Sequence, residues 1–258
     1  MSQRKTEKYI LDGIARDGAL LFVLIDPVDY PSVEDAVKTA SEAADAGADL
    51  ILIGGSIGVQ GVLLDEATKR IKEKVKVPVV LFPGNIATVT KNADALYFMS
   101  LMNSRNPYWI SQAQTLAAPV IKKLGIEPLP VAYIIVEPGG TVGWVGDANV
   151  VPRAKPQICA ALALAGQYSG AHFVLTDVGS ASKVGPVPVE MVAAVAKTID
   201  VPYIVAGGIR TPKEAGDIIA AGADAVQIGT VAEKSSDVRK TISEFVKAVK
   251  EEGRKKKR

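Results

Sequence analysis

Residues 201–230, VPYIVAGGIRTPKEAGDIIAAGADAVQIGT, hold the pattern that decides the fold. An apolar, β-branched run from Pro202 to Ala206 stops at the pair Gly207-Gly208. Thr211-Pro212 then supplies a cap and a first-turn proline for a helix, and Gly222 stands where that helix should end. A second apolar run, Ala225 to Ile228, stops at Gly229-Thr230. Nearly unbroken apolar strands on either side of a helix mark the parallel unit of a sheet buried on both faces.

Outward from this unit the same grammar recurs. Val201-Pro202 echoes Val77-Pro78, and Ala221-Gly222-Ala223-Asp224 repeats Ala46-Gly47-Ala48-Asp49. Eight runs read as strands: Ala19–Ile25, Leu50–Ile53, Val77–Phe82, Ala95–Ser100, Pro130–Val136, Phe173–Thr176, Pro202–Ala206 and Ala225–Ile228. Between them, Ser32 to Ala46 places Val33, Ala36, Val37, Ala40, Ala43 and Ala44 on one helical face, and Pro188 to Thr198 does so with Val192, Val195 and Ala196. Gly47, Gly125 and Gly170 stand at further helix ends. Eight units predict an α/β fold, a single-domain (β/α)₈ TIM barrel over residues 1–258, with a doubly wound sheet as the runner-up. A helix is expected within residues 1–17 and a basic, solvated tail at 251–258. Gly84 to Asp94, between strands three and four, is too short and polar for a full helix, whereas Glu137 to Lys155 is long enough to lie over a barrel mouth.

Composition narrows the class. Of 258 residues 48% are hydrophobic and 22% charged, ample for a globular core, yet no apolar stretch approaches the roughly 18 to 20 residues that span a bilayer. The start, MSQRKTEKYILDG, lacks the apolar block of a signal peptide, so a cytoplasmic location is expected. A single cysteine, Cys159, and a single histidine, His172, exclude a disulfide framework and multi-Cys or His-pair metal motifs. Thirty basic against 28 acidic residues give +2, with the excess concentrated in Arg254 to Arg258, so the body is no candidate for tracking a nucleic-acid backbone. The basic end is either a solvated terminus or a source of weak membrane-surface association, at about 1 kcal/mol per basic residue near anionic lipid.

In this architecture chemistry gathers at the C-terminal ends of the strands. Those ends carry Asp26, Gly54-Gly55-Ser56, Pro83-Gly84-Asn85, Asn103-Ser104, Glu137, Asp177-Val178-Gly179-Ser180, Gly207-Gly208-Ile209-Arg210 and Gly229-Thr230. Glycine-rich loops after strands six, seven and eight present backbone N–H groups suited to phosphate. Asp26 and Ser56, from adjacent strands, can share a Mg²⁺ ion, or can equally cap a turn and a helix. No lysine stands at a strand end, which argues against Schiff-base chemistry, and Cys159 falls inside a helical pattern. Acid–base candidates reduce to Asp177 and Glu137, with the alternative that Asp177 caps the Gly179-Ser180 turn.

Several phrases together resemble one family: Asp26-Pro27, Gly54-Gly55-Ser56, Leu81 to Asn85, Phe98 to Pro107, Ala132 to Gly140, Gly207 to Arg210 and Gly229-Thr230 are similar to those of the geranylgeranylglyceryl phosphate synthases, over about residues 10 to 248. The resemblance implies a prenyltransferase. It would join geranylgeranyl diphosphate to the 3-hydroxyl of sn-glycerol 1-phosphate, form the first ether bond of archaeal membrane lipids and release diphosphate, with Mg²⁺ as cofactor. It implies Asp26 and Ser56 as the Mg²⁺ ligands. The glycerol-phosphate site it implies is Leu175, Thr176, Asp177, Val178, Gly179, Ser180 and Ala181 with Gly207, Gly208, Gly229 and Thr230, and the assembly a homo-oligomer, dimer or hexamer. Where the family usually has Tyr-Leu-Glu-Ala-Gly-Ser-Gly-Ala, this chain has Leu175 to Ser182, LTDVGSAS, which shortens one carboxylate and loses a phenol. Tyr97, Phe98, Met99, Tyr108 and Trp109 are the expected wall of a prenyl groove, and Trp144 an expected subunit contact. Rival readings are a synthase of another chain length, such as the heptaprenyl type, a phosphate-binding isomerase or lyase, and a non-catalytic binder. Diphosphate release separates them.

Overall fold

The computed structural model describes residues 5–55, 57–180 and 182–256. Helix α1 (Lys5–Asp17) precedes eight strands: β1 (Leu20–Ile25), β2 (Leu50–Ile53), β3 (Val79–Leu81), β4 (Ala95–Leu101), β5 (Glu127–Ile135), β6 (Phe173–Asp177), β7 (Tyr203–Ala206) and β8 (Ala225–Ile228). They pair in sequence order, all parallel, and close into a barrel through β1 and β8. Outside run α2 (Val33–Asp45), α3 (Gly61–Lys74), α4 (Ala113–Leu124), α5 (Gly140–Val145), α6 (Pro156–Tyr168), α7 (Val189–Ala196), α8 (Pro212–Ala220), α9 (Thr230–Glu233) and α10 (Val238–Lys256).

The punctuation works as local chemistry requires. Ser32 Oγ accepts from the Asp35 N–H at 3.2 Å to open α2, and Thr211 with Glu214 forms a capping box ahead of Pro212 to open α8. Gly125 ends α4 in the left-handed conformation, with φ +73°.

Alternation along each strand sorts the apolar residues into two cores. Leu20, Phe22, Leu50, Leu52, Val80, Tyr97, Tyr133, Phe173 and Leu175 fill the barrel, while Leu21, Val23, Ile51, Ile53, Val174 and Val226 meet the helices. Helix α1 closes the N-terminal end of the barrel, with Ile10 packed into the inner core. The buried carboxylate of Glu127 holds α1 there, accepting from Thr6 N at 2.8 Å and Glu7 N at 2.9 Å.

Two element bounds differ from the sequence reading. Residues 251–256 form the end of α10, exposed at Glu251, Arg254 and Lys255 but anchored by buried Gly253 and by Lys256 Nζ, which bonds Asp224 Oδ1 at 2.9 Å and the Ala223 carbonyl at 2.7 Å. Strand β5 begins at Glu127, three residues before Pro130. Its register with β4 starts at Glu127 and with β6 only at Val131, so Pro128 precedes the β6 ladder and Pro130 meets it through its carbonyl alone, which accepts from His172 N at 2.9 Å. As expected, residues 84–94 carry no helix, and Glu137 to Lys155, which contains α5, lies over the mouth. No helix of the described residues is long and apolar enough to cross a membrane.

Candidate active site

The C-terminal strand ends surround one cavity of about 1100 Å³. At one end lie Gly207-Gly208 and Gly229-Thr230; Asp26 and Asp177 line its middle; Trp109, Ala113, Ala117 and Ile121 line an apolar arm. Several buried polar atoms without a protein partner, Asp26 Oδ1, Tyr97 Oη, Gln114 Oε1 and Gln227 Oε1, belong to residues of this lining. Buried polar atoms are normally paired, so unmet capacity gathered in one cavity points to a ligand.

Asp26 follows β1 in extended conformation (φ −103°, ψ 97°) and leads into a 3-10 turn, Pro27–Asp29. The turn is closed by its backbone, Asp29 N to Asp26 O at 2.9 Å, and the side chain makes no cap bond, so capping does not explain the carboxylate. Gly54 leaves it room, since a Cβ there would come within 3.0 Å of Asp26 Oδ1. Burial pushes the Asp26 carboxyl up to about 7, helped by the Asp29, Glu233 and Asp177 carboxylates. Ser56 lies outside the described residues.

Asp177 does two jobs at once. Its Oδ1 accepts from Gly179 N at 2.6 Å, the turn-capping bond, and its Oδ2 accepts from Tyr133 Oη at 2.8 Å. Burial raises its pKa against the lowering effect of those two bonds. Gly207 is tied to this arrangement: at φ +79°, a Cβ would fall 2.3 Å from Asp177 Oδ1 and 2.9 Å from the Gly179 carbonyl. The loops after β6 and β7 therefore interlock.

Among the residues expected around glycerol phosphate, Asp177, Ser180, Gly207, Gly208, Gly229 and Thr230 line the cavity. Leu175, Thr176, Val178 and Gly179 do not: Leu175 fills the inner core, Thr176 Oγ1 pairs with Tyr203 Oη at 2.7 Å, and Val178 packs in the outer core. Ala181 lies outside the described residues. Gly229-Thr230 opens α9, whose first amides have no carbonyl a turn earlier to meet them. Glu137 is exposed and does not line the cavity, which removes it from the acid–base candidates. Cys159 is buried in α6, and burial pushes its thiol up to about 12. His172 sits at the other end of the barrel, against Glu7 at 3.1 Å.

The apolar arm arises because nothing helical covers the gap between β3 and β4. Phe98, Met99 and Ser100 are only partly buried, and Phe98 and Met99 share the arm with Trp109. Tyr97 lines the cavity from inside the barrel, in edge contact with Phe82 at 5.4 Å. Tyr108, expected in this wall, stands behind Trp109 in edge contact at 5.0 Å and does not reach the cavity. Val142 and Val145 of α5 cover part of the mouth. Asn103 and Ser104 brace that cover rather than face a substrate: Asn103 Nδ2 bonds Ile135 O at 2.8 Å and Asn149 O at 3.0 Å, and Ser104 Oγ bonds Gly146 O at 2.6 Å. Trp144, 83% exposed, points away from the cavity lining.

Arg210, named at a strand end by the sequence, lines the cavity, as do Tyr133, Gln227, Lys183 and Lys234, which the strand ends do not name. Strand alternation flags Tyr133 and Gln227, since both share the inward parity of Asp177 and Gly229.

Comparison with known proteins agrees in sequence and in structure. The chain is 49% identical over 249 residues to the geranylgeranylglyceryl phosphate synthase of Thermococcus gammatolerans, covering 95% of this chain and 98% of that one. It is 50% identical over 236 residues to that of Thermococcus kodakarensis, covering 92% of each. The crystal structure of (S)-3-O-geranylgeranylglyceryl phosphate synthase from Thermoplasma acidophilum, in complex with its substrate sn-glycerol-1-phosphate, superposes with a TM-score of 0.90 at 38% identity, over 95% of this chain and 98% of that one. With a family model matching residues 16–249, the chain belongs to the PcrB family.

Proposed function

We propose that this protein is a geranylgeranylglyceryl phosphate synthase, a prenyltransferase joining geranylgeranyl diphosphate to the 3-hydroxyl of sn-glycerol 1-phosphate. The observation that carries this is the continuity of the cavity: phosphate-type glycine loops, a buried carboxylate and an apolar arm open into one volume of about 1100 Å³. An isomerase of a small phosphate ester has no use for the arm between β4 and α4, and a 20-carbon chain does.

Asp26 fits a divalent cation such as Mg²⁺. Its Oδ1 is buried and unpartnered, burial pushes its carboxyl up to about 7, and a hard cation beside it would favour the ionised form. Mg²⁺ retains several waters and takes phosphate oxygens, so one carboxylate, with the Ser56 that the family resemblance implies, is a sufficient protein contribution. When bound, the cation supplies charge neutralisation for the departing diphosphate. The chain's own residues do the positioning. Gly207-Gly208 and Gly229-Thr230 hold the acceptor phosphate through backbone N–H groups, Asp177 fixes the Gly179 turn and the Tyr133 phenol beside the acceptor, and Val142 and Val145 exclude water above it. With one hydrogen bond accepted on each oxygen, Asp177 orients the Gly179 turn and the Tyr133 phenol in this reading. Exposed Trp144 supports a homo-oligomer in which it is covered, and the assembly works in the cytoplasm.

The test is incubation with sn-glycerol 1-phosphate, geranylgeranyl diphosphate and Mg²⁺, with and without chelator, following the prenylated product by mass. Chelator-sensitive product is expected, and Asp26→Ala is expected to lower it on the order of a hundredfold or more while the protein still folds. Absence of product would overturn the reading.

A further inference from the structure

Gln227 is a polar residue in an otherwise apolar strand, and it points inward. Its register partners are Ala206 of β7 and Phe22 of β1, both on the interior face. The residue is 3% exposed, its Oε1 has no hydrogen-bond partner, and it lines the cavity. Barrel interiors are filled by Val, Ile and Leu, any of which would occupy this place without the cost of desolvating an amide. A buried carboxamide without a protein partner is a site for a ligand's hydroxyl.

Its position says which hydroxyl. Gln227 stands two residues before Gly229, a rise of about 7 Å along a strand, and level with Ala206, the residue before Gly207. It therefore lies beneath both glycine loops. A phosphate held by those loops places the adjoining carbon chain over the Gln227 amide, and the first hydroxyl met along that chain is the one that does not react. Among the other unpartnered groups of the lining, Tyr97 Oη and Gln114 Oε1 belong to β4 and α4, on the prenyl side, and Asp26 Oδ1 belongs to the proposed cation site.

We propose that Gln227 is a specificity-determining residue for the acceptor, its carboxamide hydrogen-bonding the C2 hydroxyl of glycerol phosphate; this rests on the prenyl-transfer reading above. A site built around a substrate hydroxyl rejects the analogue that lacks it, because the amide is then left buried and unpaired.

The experiment compares sn-glycerol 1-phosphate with 3-hydroxypropyl phosphate, which keeps the reacting hydroxyl and lacks only the C2 hydroxyl, in the wild type and in Gln227→Met. The wild type is expected to favour glycerol phosphate by about a hundredfold in kcat/KM, and the variant by less than about tenfold, with KM for the prenyl diphosphate unchanged. The variant should melt no lower than the wild type, since it replaces an unsatisfied amide by an apolar chain of similar length. A wild type that uses both acceptors equally would overturn the proposal without any variant, and so would a Met variant with the wild-type preference. A wild type that prenylates neither acceptor would overturn the prenyl-transfer reading itself and this proposal with it.

Discussion

Asp26 shows how a single side chain links chemistry to stability. Its carboxyl titrates near its ordinary 3.8 in the unfolded chain and is pushed to about 7 in the folded, metal-free protein. Between those values the folded state holds more protons than the unfolded one, so stability falls as pH rises through that window, and the loss is complete above about 7. In the presence of chelator, Asp26→Asn should therefore flatten the decline in melting temperature from pH 4 to 7 and melt higher than the wild type at pH 8; a parallel decline would place the effect elsewhere. Gly207→Ala tests the interlocked loops, since it forces a side chain onto φ +79° and into Asp177 Oδ1. A stability loss of about 1–3 kcal/mol is expected, with KM for the acceptor raised more than KM for the prenyl diphosphate, readable by denaturation and steady-state kinetics. Asp26 and the glycine pairs were legible in sequence because they stop apolar runs, and a stop is a local signal. Tyr133 and Gln227 were not, because each lies inside a run. Only the inward parity of the strand, fixed by pairing with neighbours far away in sequence, separates them from core residues.

At the scale of elements, the informative feature is the missing helix between β3 and β4. The sequence showed that Gly84 to Asp94 cannot form a full helix, yet which residues then border the gap depends on how α4 leans across β4, a tertiary matter. Tyr108 and Trp109 illustrate the limit: one residue apart on the π turn Tyr108–Gln112, they face different ways, and only Trp109 meets the cavity. Sequence could name the aromatic cluster but not choose within it. Ala113, Ala117 and Ile121, at helical spacing, present one face of α4 to the apolar arm, and the small side chains at the first two positions leave the space. Ala117→Phe should fill it. Competition between geranylgeranyl and farnesyl diphosphate, with products weighed by mass, is expected to shift toward the shorter donor by roughly tenfold or more, since each methylene excluded from an apolar site counts for about 1–3 kcal/mol. An unchanged ratio would mean the C20 tail leaves the barrel by another route.

The whole molecule divides its labour between the two ends of the barrel. Among the described residues, the groups proposed for substrate and cation gather toward the C-terminal mouth, while the N-terminal end is held by charge: α10 is pinned there by Lys250, whose Nζ bonds Asp49 Oδ1 at 2.7 Å, Asp17 Oδ2 at 3.1 Å and the Ala19 carbonyl at 3.0 Å. Asp49 in turn accepts from Leu21 N at 2.8 Å, so one cation joins the last helix to the starts of β1 and β2. Lys256 ties the end of α10 to Asp224 just before β8, while Arg254 and Lys255 are exposed, so the described part of the basic terminus stands at the pole opposite the mouth. Attraction of that terminus to anionic lipid would thus turn the mouth away from the membrane. Lys250 and Asp49 side chains are 13% and 9% exposed, so Lys250→Met leaves a nearly buried carboxylate without its cation. Breaking such a pair costs about 3 kcal/mol or more, which for a domain of this size lowers the melting temperature by on the order of 10 °C. Turnover below the transition should be unaffected, because the lost contact lies a full strand length from the cavity. A variant that kept its melting temperature but lost turnover would mean that the two ends of the barrel are mechanically coupled, and that stability and chemistry are not partitioned along its axis as the geometry indicates.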